Sequence, residues 1–259
     1  TDGYNANSIS VNTLTILDNH AKLKTNIMIN RNNSDLDTTQ DDPDYTSENN
    51  SNIYQMHYDI NNTSVAYGYS EYDRTYTNGT EIDEYDSARH NLLATHTFVL
   101  GTMDLVPGIE YEHKSAEFTN RGSYNSSVDA WEYNTAYFLN SNWRATDDLI
   151  ISSGIRQDTL EDYDDYTTLR FGGAYIVNDK LTVRSNWSNS VRTPTLYEKY
   201  GADNYGYRGN STLDVERGET LDLGFTLGAL DVVYYTTDID NAITYANSSY
   251  TNDNGTSTR

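Results

Sequence analysis

The chain has 259 residues, no cysteine and a formal net charge of −22 at pH 7. The lack of cysteine excludes disulfides and thiolate metal sites, and the negative charge opposes the phosphate neutralisation on which nucleic-acid binding depends. Hydrophobic residues make up only 36% of the chain, yet it contains 24 tyrosines, whereas disordered chains are poor in aromatic residues. No apolar run approaches the ~18 residues that a membrane helix requires, so a helical membrane protein is excluded and a β-barrel is not.

Alternation of apolar and polar residues recurs along the chain and predicts β-strands that each have one apolar face. Between residues 23 and 29, for example, Leu23, Thr25 and Ile27 alternate with polar side chains. About twelve such strands are predicted, each near the ~9–11 residues of a tilted membrane strand. In chain order they lie at 8–17, 22–30, 54–60, 65–69, 88–100, 103–112, 131–139, 149–158, 169–177, 181–187, 221–227 and 230–234.

The predicted connections alternate between short turns and long polar spans. Residues that tolerate tight turns occupy the short ones, at 18–20, 61–62, 101–102, 146–148, 178–180 and 228–229. The long ones are rich in Asp, Asn, Ser, Tyr and Gly and cover 31–50, 71–87, 114–129, 159–166 and 190–216. Minimal turns at one end and long loops at the other are typical of outer-membrane barrels, whose turns are periplasmic and whose loops are extracellular.

A soluble β-sandwich or an adhesin-like domain would also alternate, but its inner face would carry Val, Ile and Leu more often than tyrosine. We therefore predict an all-β, antiparallel transmembrane barrel segment. In this register, tyrosines of the apolar face point to lipid, namely Tyr58, Tyr67, Tyr137, Tyr175 and Tyr234. Polar residues of the opposite face point to the lumen, namely Gln55, Asp59, Glu110, Asp222 and Asp231.

Three linked stretches near the end of the chain resemble successive barrel-strand motifs of TonB-dependent outer-membrane receptors. They read VRTPTLYEKYG at 191–201, GNSTLDVERGETLDLGF at 209–225 and YYTTDIDNAITY at 234–245. Ser211 departs from the family pattern, which usually has proline there, and so does the pair Asp214-Val215 before Glu216. The opening TDGYNAN resembles a loop of the cobalamin-transporter branch.

The resemblance implies a receptor in the outer membrane of a Gram-negative bacterium, for uptake of a scarce, bulky nutrient such as cobalamin or a ferric siderophore. It also implies a barrel of about 22 strands, contact with outer-membrane lipid, and energy supplied by TonB through a plug domain. Residues 1–259 are then expected to be one part of a single barrel domain, with the plug and remaining strands in a longer protein. The alternative is a non-transporting surface protein, an adhesin or structural barrel whose loops bind partners.

An enzyme is not predicted. The five histidines are scattered over separate predicted strands and a turn, and no Gly-x-Ser-x-Gly, His-Glu-x-x-His or phosphate-loop motif is present. Under the resemblance, Ser190–Glu216 is an extracellular loop whose aromatic and basic residues are candidates to contact a ligand or cover the barrel mouth. Packing against neighbouring loops is the alternative for each of them, and Arg192 and Glu198 are expected to anchor the loop. The ligand candidates are Tyr197, Tyr200, Tyr205, Tyr207 and Arg208.

Two acidic spans, 35–48 and 73–86, suit calcium, which takes about 6–8 hard oxygen ligands. The cobalamin branch orders its binding loops with calcium, so the resemblance agrees with the composition. The expected ligands are Asp41, Asp42, Asp44 and Asp83; the alternative is a solvated, mutually repelling acidic surface. No other cofactor is expected.

We predict that calcium orders both acidic spans and tightens ligand binding, because a bound cation neutralises carboxylates that otherwise repel one another. Calorimetry on the complete receptor should detect calcium binding that is weakened in an Asp41→Asn/Asp44→Asn variant. Equal heats in the two proteins, or no heat in the parent, would leave the spans as solvated surface.

Overall fold

The computed structural model describes residues 3–36 and 44–258, with the side chains of 254–258 left undescribed. Within these residues the fold is all-β apart from one short helix, α1 (Leu196–Tyr200). The strands are β1 (Tyr4–Ile16), β2 (Lys22–Asp35), β3 (Tyr45–Ile60), β4 (Thr63–Asn78), β5 (Glu81–His96), β6 (Phe98–Leu100), β7 (Met103–Arg121), β8 (Ser126–Arg144), β9 (Leu149–Leu160), β10 (Tyr166–Asn178), β11 (Leu181–Arg192), β12 (Glu216–Leu227), β13 (Leu230–Ala246) and β14 (Ser249–Thr258).

All strands of the described residues belong to one antiparallel sheet. Each pairs with the strands next to it in sequence, except that β5 pairs with β7 and not with β6. The short β6 continues β5 beyond Thr97 and pairs with β7. Every one of the twelve predicted strands is present. The two additional strands are β6, which the prediction had joined to β5, and β14, whose polar sequence carries no apolar alternation.

The six predicted short turns also lie where expected, all at one end of the sheet. His20, Asn61 and Gly101 take positive φ values of 63°, 50° and 66° there. Only glycine adopts this region freely, and Asn and His visit it more often than most residues.

Two predicted loops, 71–87 and 114–129, are wrong because most of each is strand, and the predicted loop 31–50 is too long because 31–35 belong to β2 and 45–50 to β3. β4 and β5 are joined by the two residues Gly79 and Thr80, and β7 and β8 by residues 122–125. Strand β7 has 19 residues, about 60 Å at ~3.3 Å per residue, whereas the apolar band of a membrane barrel is ~25 Å tall. At the far ends of these strands the outer face is polar, as at Glu117 and Asp129, and the apolar residues lie on the inner face, as at Phe118 and Val128. The one-sided pattern used for prediction is therefore reversed there, yet Tyr and Thr still favour the extended backbone.

The strand register separates the predicted lipid-facing and lumen-facing residues onto opposite faces. Because directly paired residues in an antiparallel ladder share a face, Tyr58, Val65, Ala94, Ile109 and Tyr137 form one continuous row. We call this side the outer face; the same pairing extends it to Tyr67, Tyr175 and Tyr234. Gln55, Asp59, Glu110, Asp222 and Asp231 lie on the other side, the inner face.

Few large apolar side chains are buried by the protein itself. Tyr137 is 57% exposed and Phe171 is 60% exposed on the outer face, while the small buried cluster on the inner face is built around Phe118 and Leu196. A face with so much exposed apolar surface requires an apolar surrounding. No helix of the described residues is long and apolar enough to cross a membrane.

The two faces can be compared at adjacent positions, Leu92 on the outer face and Leu93 on the inner face. We predict that Leu92→Arg lowers the unfolding free energy of the full-length receptor in lipid vesicles by as much as about 2–4 kcal/mol, because the cation faces hydrocarbon. Leu93→Arg is the matched control, since its neighbour in the ladder is Glu110. Urea titrations followed by tryptophan fluorescence measure both; equal losses would contradict the assignment of faces.

Candidate ligand-binding site

One connection, residues 193–215, folds over the inner face instead of continuing a strand; we call it the 193–215 segment. It begins with a capped helical turn, in which Thr195 Oγ1 accepts a hydrogen bond from the Glu198 amide and Glu198 Oε2 accepts one from the Thr195 amide. This reciprocal capping box is what the sequence TPTLYE favours. Arg192 forms ion pairs with Glu198 at 3.1 Å and Glu216 at 3.4 Å, so it ties the helix to the ends of β11 and β12.

A buried polar cluster fastens the middle of the segment to β5 and β7. Asp83, Asn120 and Asn204 are 5%, 2% and 4% exposed. Asp83 Oδ1 accepts hydrogen bonds from Asn204 Nδ2 at 2.7 Å, Asn120 Nδ2 at 2.8 Å and the Asn204 amide at 3.1 Å. Burial raises the pKa of Asp83, and these hydrogen bonds partly offset the shift.

Two further attachments hold the segment across the sheet. Lys199 is buried and forms an ion pair with Asp162 at 2.6 Å in the β9–β10 connection. At the other side, Asn210 Nδ2 donates to the Tyr250 carbonyl and the Asp214 amide donates to Asn252 Oδ1. The segment therefore spans from β5 to β14 over the inner face.

A cavity of about 600 Å³, which we call the main cavity, lies between the start of this segment and the inner face of β4, β5, β7 and β8. Pro194, Leu196 and Tyr197 cover it from the segment. In the middle of its wall, the small side chains of Ser87 and Ala116 leave the space open between Tyr85 and Phe118 on one side and Arg89 and Lys114 on the other. From the mouth inward, the rows are Arg74, Tyr85 and Phe118; then Tyr72, Ser87 and Ala116; then Ser70, Arg89, Lys114 and Glu132.

The charges of this wall differ from those of the chain as a whole. Arg89 pairs with Glu112, and Lys114 bridges Glu112 at 2.7 Å and Glu132 at 3.0 Å. Arg74 has no ion-pair partner among the described residues; its guanidinium donates to Asn49 Oδ1 at 2.6 Å and to two tyrosine hydroxyls. Its Cζ lies 5.2 Å and 5.7 Å from the ring centroids of those tyrosines, Tyr72 and Tyr76, within cation–π range.

The structure distributes the five predicted ligand residues over different environments. Tyr197 lines the main cavity, and Tyr205 is 66% exposed at the mouth. Tyr207 is only 3% exposed, its ring stacked on Tyr197 and its hydroxyl donating to the Tyr197 carbonyl at 2.8 Å. Tyr200 packs against the apolar cluster around Phe118 and Leu196, and Arg208 lies over the Tyr124 ring. For Tyr207, packing within the segment is the role that the geometry supports.

Of the four predicted calcium ligands, Asp41 and Asp42 lie outside the described residues, and Asp44 directly precedes β3, where its carbonyl accepts the Gly79 amide at 3.4 Å. The carboxylate of Asp83 is occupied by amide donors. No group of three or more carboxylates or histidines among the described residues is arranged to hold a metal ion. Calcium binding therefore stays a prediction that depends on the span 37–43.

Sequence reasoning missed the wall of the main cavity, because Arg74, Tyr85 and Phe118 fall in spans interpreted as loops. A signal was available: Arg74, Arg89 and Lys114 are three of only 17 basic residues in the chain, and all three sit in strand-forming surroundings. Their meeting on one face follows from the register, which the spacing alone did not give.

Comparison with known proteins gives a family and a fold. The model of the family described as TonB dependent receptor-like, beta-barrel matches residues 1–259. A double mutant of the Serratia marcescens hemophore receptor HasR, in complex with its hemophore HasA and heme, is 13% identical with a TM-score of 0.77, covering 98% of this chain and 50% of that one. No curated protein matches the sequence.

Two further solved structures are similar. The siderophore receptor PirA from Pseudomonas aeruginosa is 12% identical with a TM-score of 0.76, and the alignment covers 99% of this chain and 52% of that one. The copper transporter OprC is 13% identical with a TM-score of 0.74, over 95% and 47%. The chain thus spans about half the length of each structure, and at these identities the likeness establishes the fold.

The buried cluster generates a prediction for the 193–215 segment. Asp83→Ala removes the charged acceptor of three hydrogen bonds, each typically worth about 1.5–3 kcal/mol, so the segment should open more often. Trypsin cleavage after the exposed Arg208 in the full-length receptor should accelerate at least tenfold, as detected by mass spectrometry of the fragments. Asp129→Ala, at an exposed outer-face carboxylate, is the control; equal cleavage rates in the two variants would contradict the anchoring role.

Proposed function

The chain belongs to the family of TonB-dependent receptor-like β-barrels, which are outer-membrane proteins, and we propose that it forms part of the wall and mouth of a receptor that takes up a bulky, anionic nutrient chelate. The main cavity is the proposed capture site. Energy would reach the ligand through TonB acting on a plug domain, as the family assignment implies.

The observation that carries this proposal is the charge of the main cavity. In a chain with a net charge of −22, its wall brings together Arg74, Arg89 and Lys114, of which Arg74 has no carboxylate partner among the described residues. Arg89 and Lys114 are balanced by Glu112 and Glu132, so the unbalanced positive charge is that of Arg74. The other lining carboxylate, Asp86, is assigned by the register to the outer face. A cavity with unbalanced positive charge in a negatively charged surrounding selects anions.

Aromatic side chains supply the second half of the recognition. Tyr72, Tyr76, Tyr85, Phe118 and Tyr197 line the cavity, and planar groups of a ligand can stack on such rings. The volume of about 600 Å³ lies within the ~300–1,000 Å³ typical of small-molecule sites. A ferric siderophore with aryl groups and negative charge fits this chemistry better than cobalamin does. The only support for cobalamin is the resemblance of residues 1–7. The similar structure named as the siderophore receptor PirA supports the same class.

We predict that Arg74→Gln weakens binding of a ferric tris-catecholate to the full-length receptor in detergent by roughly tenfold to a hundredfold. The reason is the loss of a charge-assisted contact worth about 1.5–3 kcal/mol. Fluorescence quenching measures the affinity, and radioactive iron uptake by cells that express the receptor measures transport. Arg217→Gln is the matched control, because Arg217 also lies over a tyrosine ring, at 5.5 Å from the Tyr166 centroid, but does not line the main cavity.

Two outcomes would contradict the proposal. Equal affinities of the two variants would remove the main cavity as the anion site. Binding without uptake in cells that contain a functional TonB system would favour the non-transporting surface protein.

A further inference from the structure

A second, smaller cavity adjoins the main cavity at the barrel mouth; we call it the mouth pocket. It has a volume of about 200 Å³ and lies between the upper ends of β3, β4 and β5 and residues 203–205 of the 193–215 segment. Three carboxylates line it, from Glu81, Asp83 and Asp203, together with Asn78. The rest of its lining is tyrosine: Tyr45, Tyr76, Tyr85, Tyr197 and Tyr205.

The tyrosine rings form a continuous aromatic wall. Tyr85 meets Tyr76 edge to face, with ring centroids 6.2 Å apart, and meets Tyr197 in the same way at 5.7 Å. Burial raises the pKa of Tyr45 and of Tyr197 to about 12 and raises that of Tyr85 as well. Phenol rings have electron-rich faces that attract cations, and the Tyr76 ring of this wall already contacts the Arg74 guanidinium, at 5.7 Å from Cζ to the ring centroid.

The carboxylates of the mouth pocket are held in place without being neutralised. Asp203 Oδ1 accepts the backbone amides of Tyr205 at 2.9 Å and Tyr207 at 2.8 Å, and Glu81 accepts the hydroxyl of Ser123. Asp83 accepts amide groups only, as described above. None of the three forms an ion pair within the described part of the chain, and no cationic side chain lines the pocket. A preformed site with this charge favours a positively charged guest.

The composition of the lining points to an organic cation. Calcium requires about 6–8 oxygen ligands, and the described residues hold no cluster suited to a metal ion. An aromatic cage with carboxylates at its edge is instead the arrangement that recognises ammonium and guanidinium groups. At about 200 Å³ the pocket is smaller than most ligand sites, so it suits one arm of a ligand.

We propose that the mouth pocket binds an ammonium or guanidinium group of the same ligand whose anionic part occupies the main cavity. Tyr76, Tyr85 and Tyr197 belong to both linings, so the two cavities adjoin at these side chains. The ligand would therefore be a zwitterionic chelate, with its negative charge near Arg74 and a cationic arm directed to Glu81 and Asp203. This inference rests on the proposed capture of an anionic chelate by the main cavity.

The test uses two ferric catecholate chelates that differ in one respect: their side arms end either in a primary amine or in its acetamide. We expect the amine form to bind the full-length receptor in detergent about tenfold more tightly than the acetamide form. In a Glu81→Gln/Asp203→Asn variant this advantage should disappear, while the acetamide form binds as before. These substitutions keep an oxygen acceptor at each position, and unchanged trypsin cleavage after Arg208 verifies that the 193–215 segment stays in place.

The control variant is Glu84→Gln, an outer-face carboxylate that pairs with Arg121 and lies outside the pocket lining. It should retain the amine advantage. Tetramethylammonium chloride should abolish that advantage in the parent protein, and calcium chloride at equal concentration should not; competition by calcium alone would overturn the proposal in favour of a metal site.

The two proposals fail in different ways. If the amine and acetamide chelates bind equally, and both depend on Arg74, the mouth-pocket inference is wrong while the proposed function stands. If neither chelate binds, the proposed capture of an anionic chelate fails, and this inference fails with it.

Discussion

The pleat of a single antiparallel sheet is the constraint on which the rest of this structure depends. Side chains alternate between two faces with a period of two, so every strand must satisfy an apolar surrounding on one side and a polar one on the other. The apolar requirement is met on the outer face by the row of Tyr58, Val65, Ala94, Ile109 and Tyr137. Because a slip of one residue would exchange the faces of a whole strand, this alternation fixes the register from β1 to β13.

The polar requirement of the inner face is met by fixed networks. Arg156 contacts Glu110 at 2.6 Å and Asp158 at 2.8 Å, and Glu110 also accepts the amide of Asn91. Partly exposed pairs of this kind contribute little stability, about 0–1 kcal/mol each. Their effect is positional, since each long side chain is held against the wall. The inner face therefore holds charged side chains at fixed positions along the strands. The row of Arg89 and Lys114 in the main cavity is one example.

The sequence predicted these elements to the extent that a one-sided solvent pattern was present. Strands at 103–112 and 131–139 were recognised because apolar and polar residues alternate there, and their turns because Gly101 and the pair Asp147-Asp148 mark them. Beyond residue 113 the outer face of β7 is polar and the apolar residues, Ala116 and Phe118, lie on the inner face, so the sequence no longer follows the pattern of the apolar band. The strand continues to Arg121 because its backbone pairs with β5 and β8 on either side.

Candidate site residues were predictable by location and not by role. The interval 190–216 was correctly interpreted as one long connection, and Arg192 and Glu198 do anchor it. Tyr207 and Tyr197 are indistinguishable in the sequence, yet one is buried under the other. Which tyrosine faces a cavity depends on contacts between residues about 120 positions apart, such as that of Asn204 with Asp83, and no local pattern encodes these.

The extension of the strands beyond the apolar band has a consequence for recognition. Loops move on fast timescales, whereas side chains on paired strands are positioned by the ladder, and sites built on such elements are more precise. Arg74, Tyr85 and Phe118 occupy directly paired positions of three neighbouring strands. Their spacing is therefore set by the sheet before any ligand arrives.

The 193–215 segment adds Tyr197 as a cover, held by the Asp83 cluster on one side and Lys199 on the other. A rigid wall with one anchored cover can distinguish ligands by the positions of their charged groups. The wall and the cover cannot move to meet a misplaced charge without breaking buried hydrogen bonds.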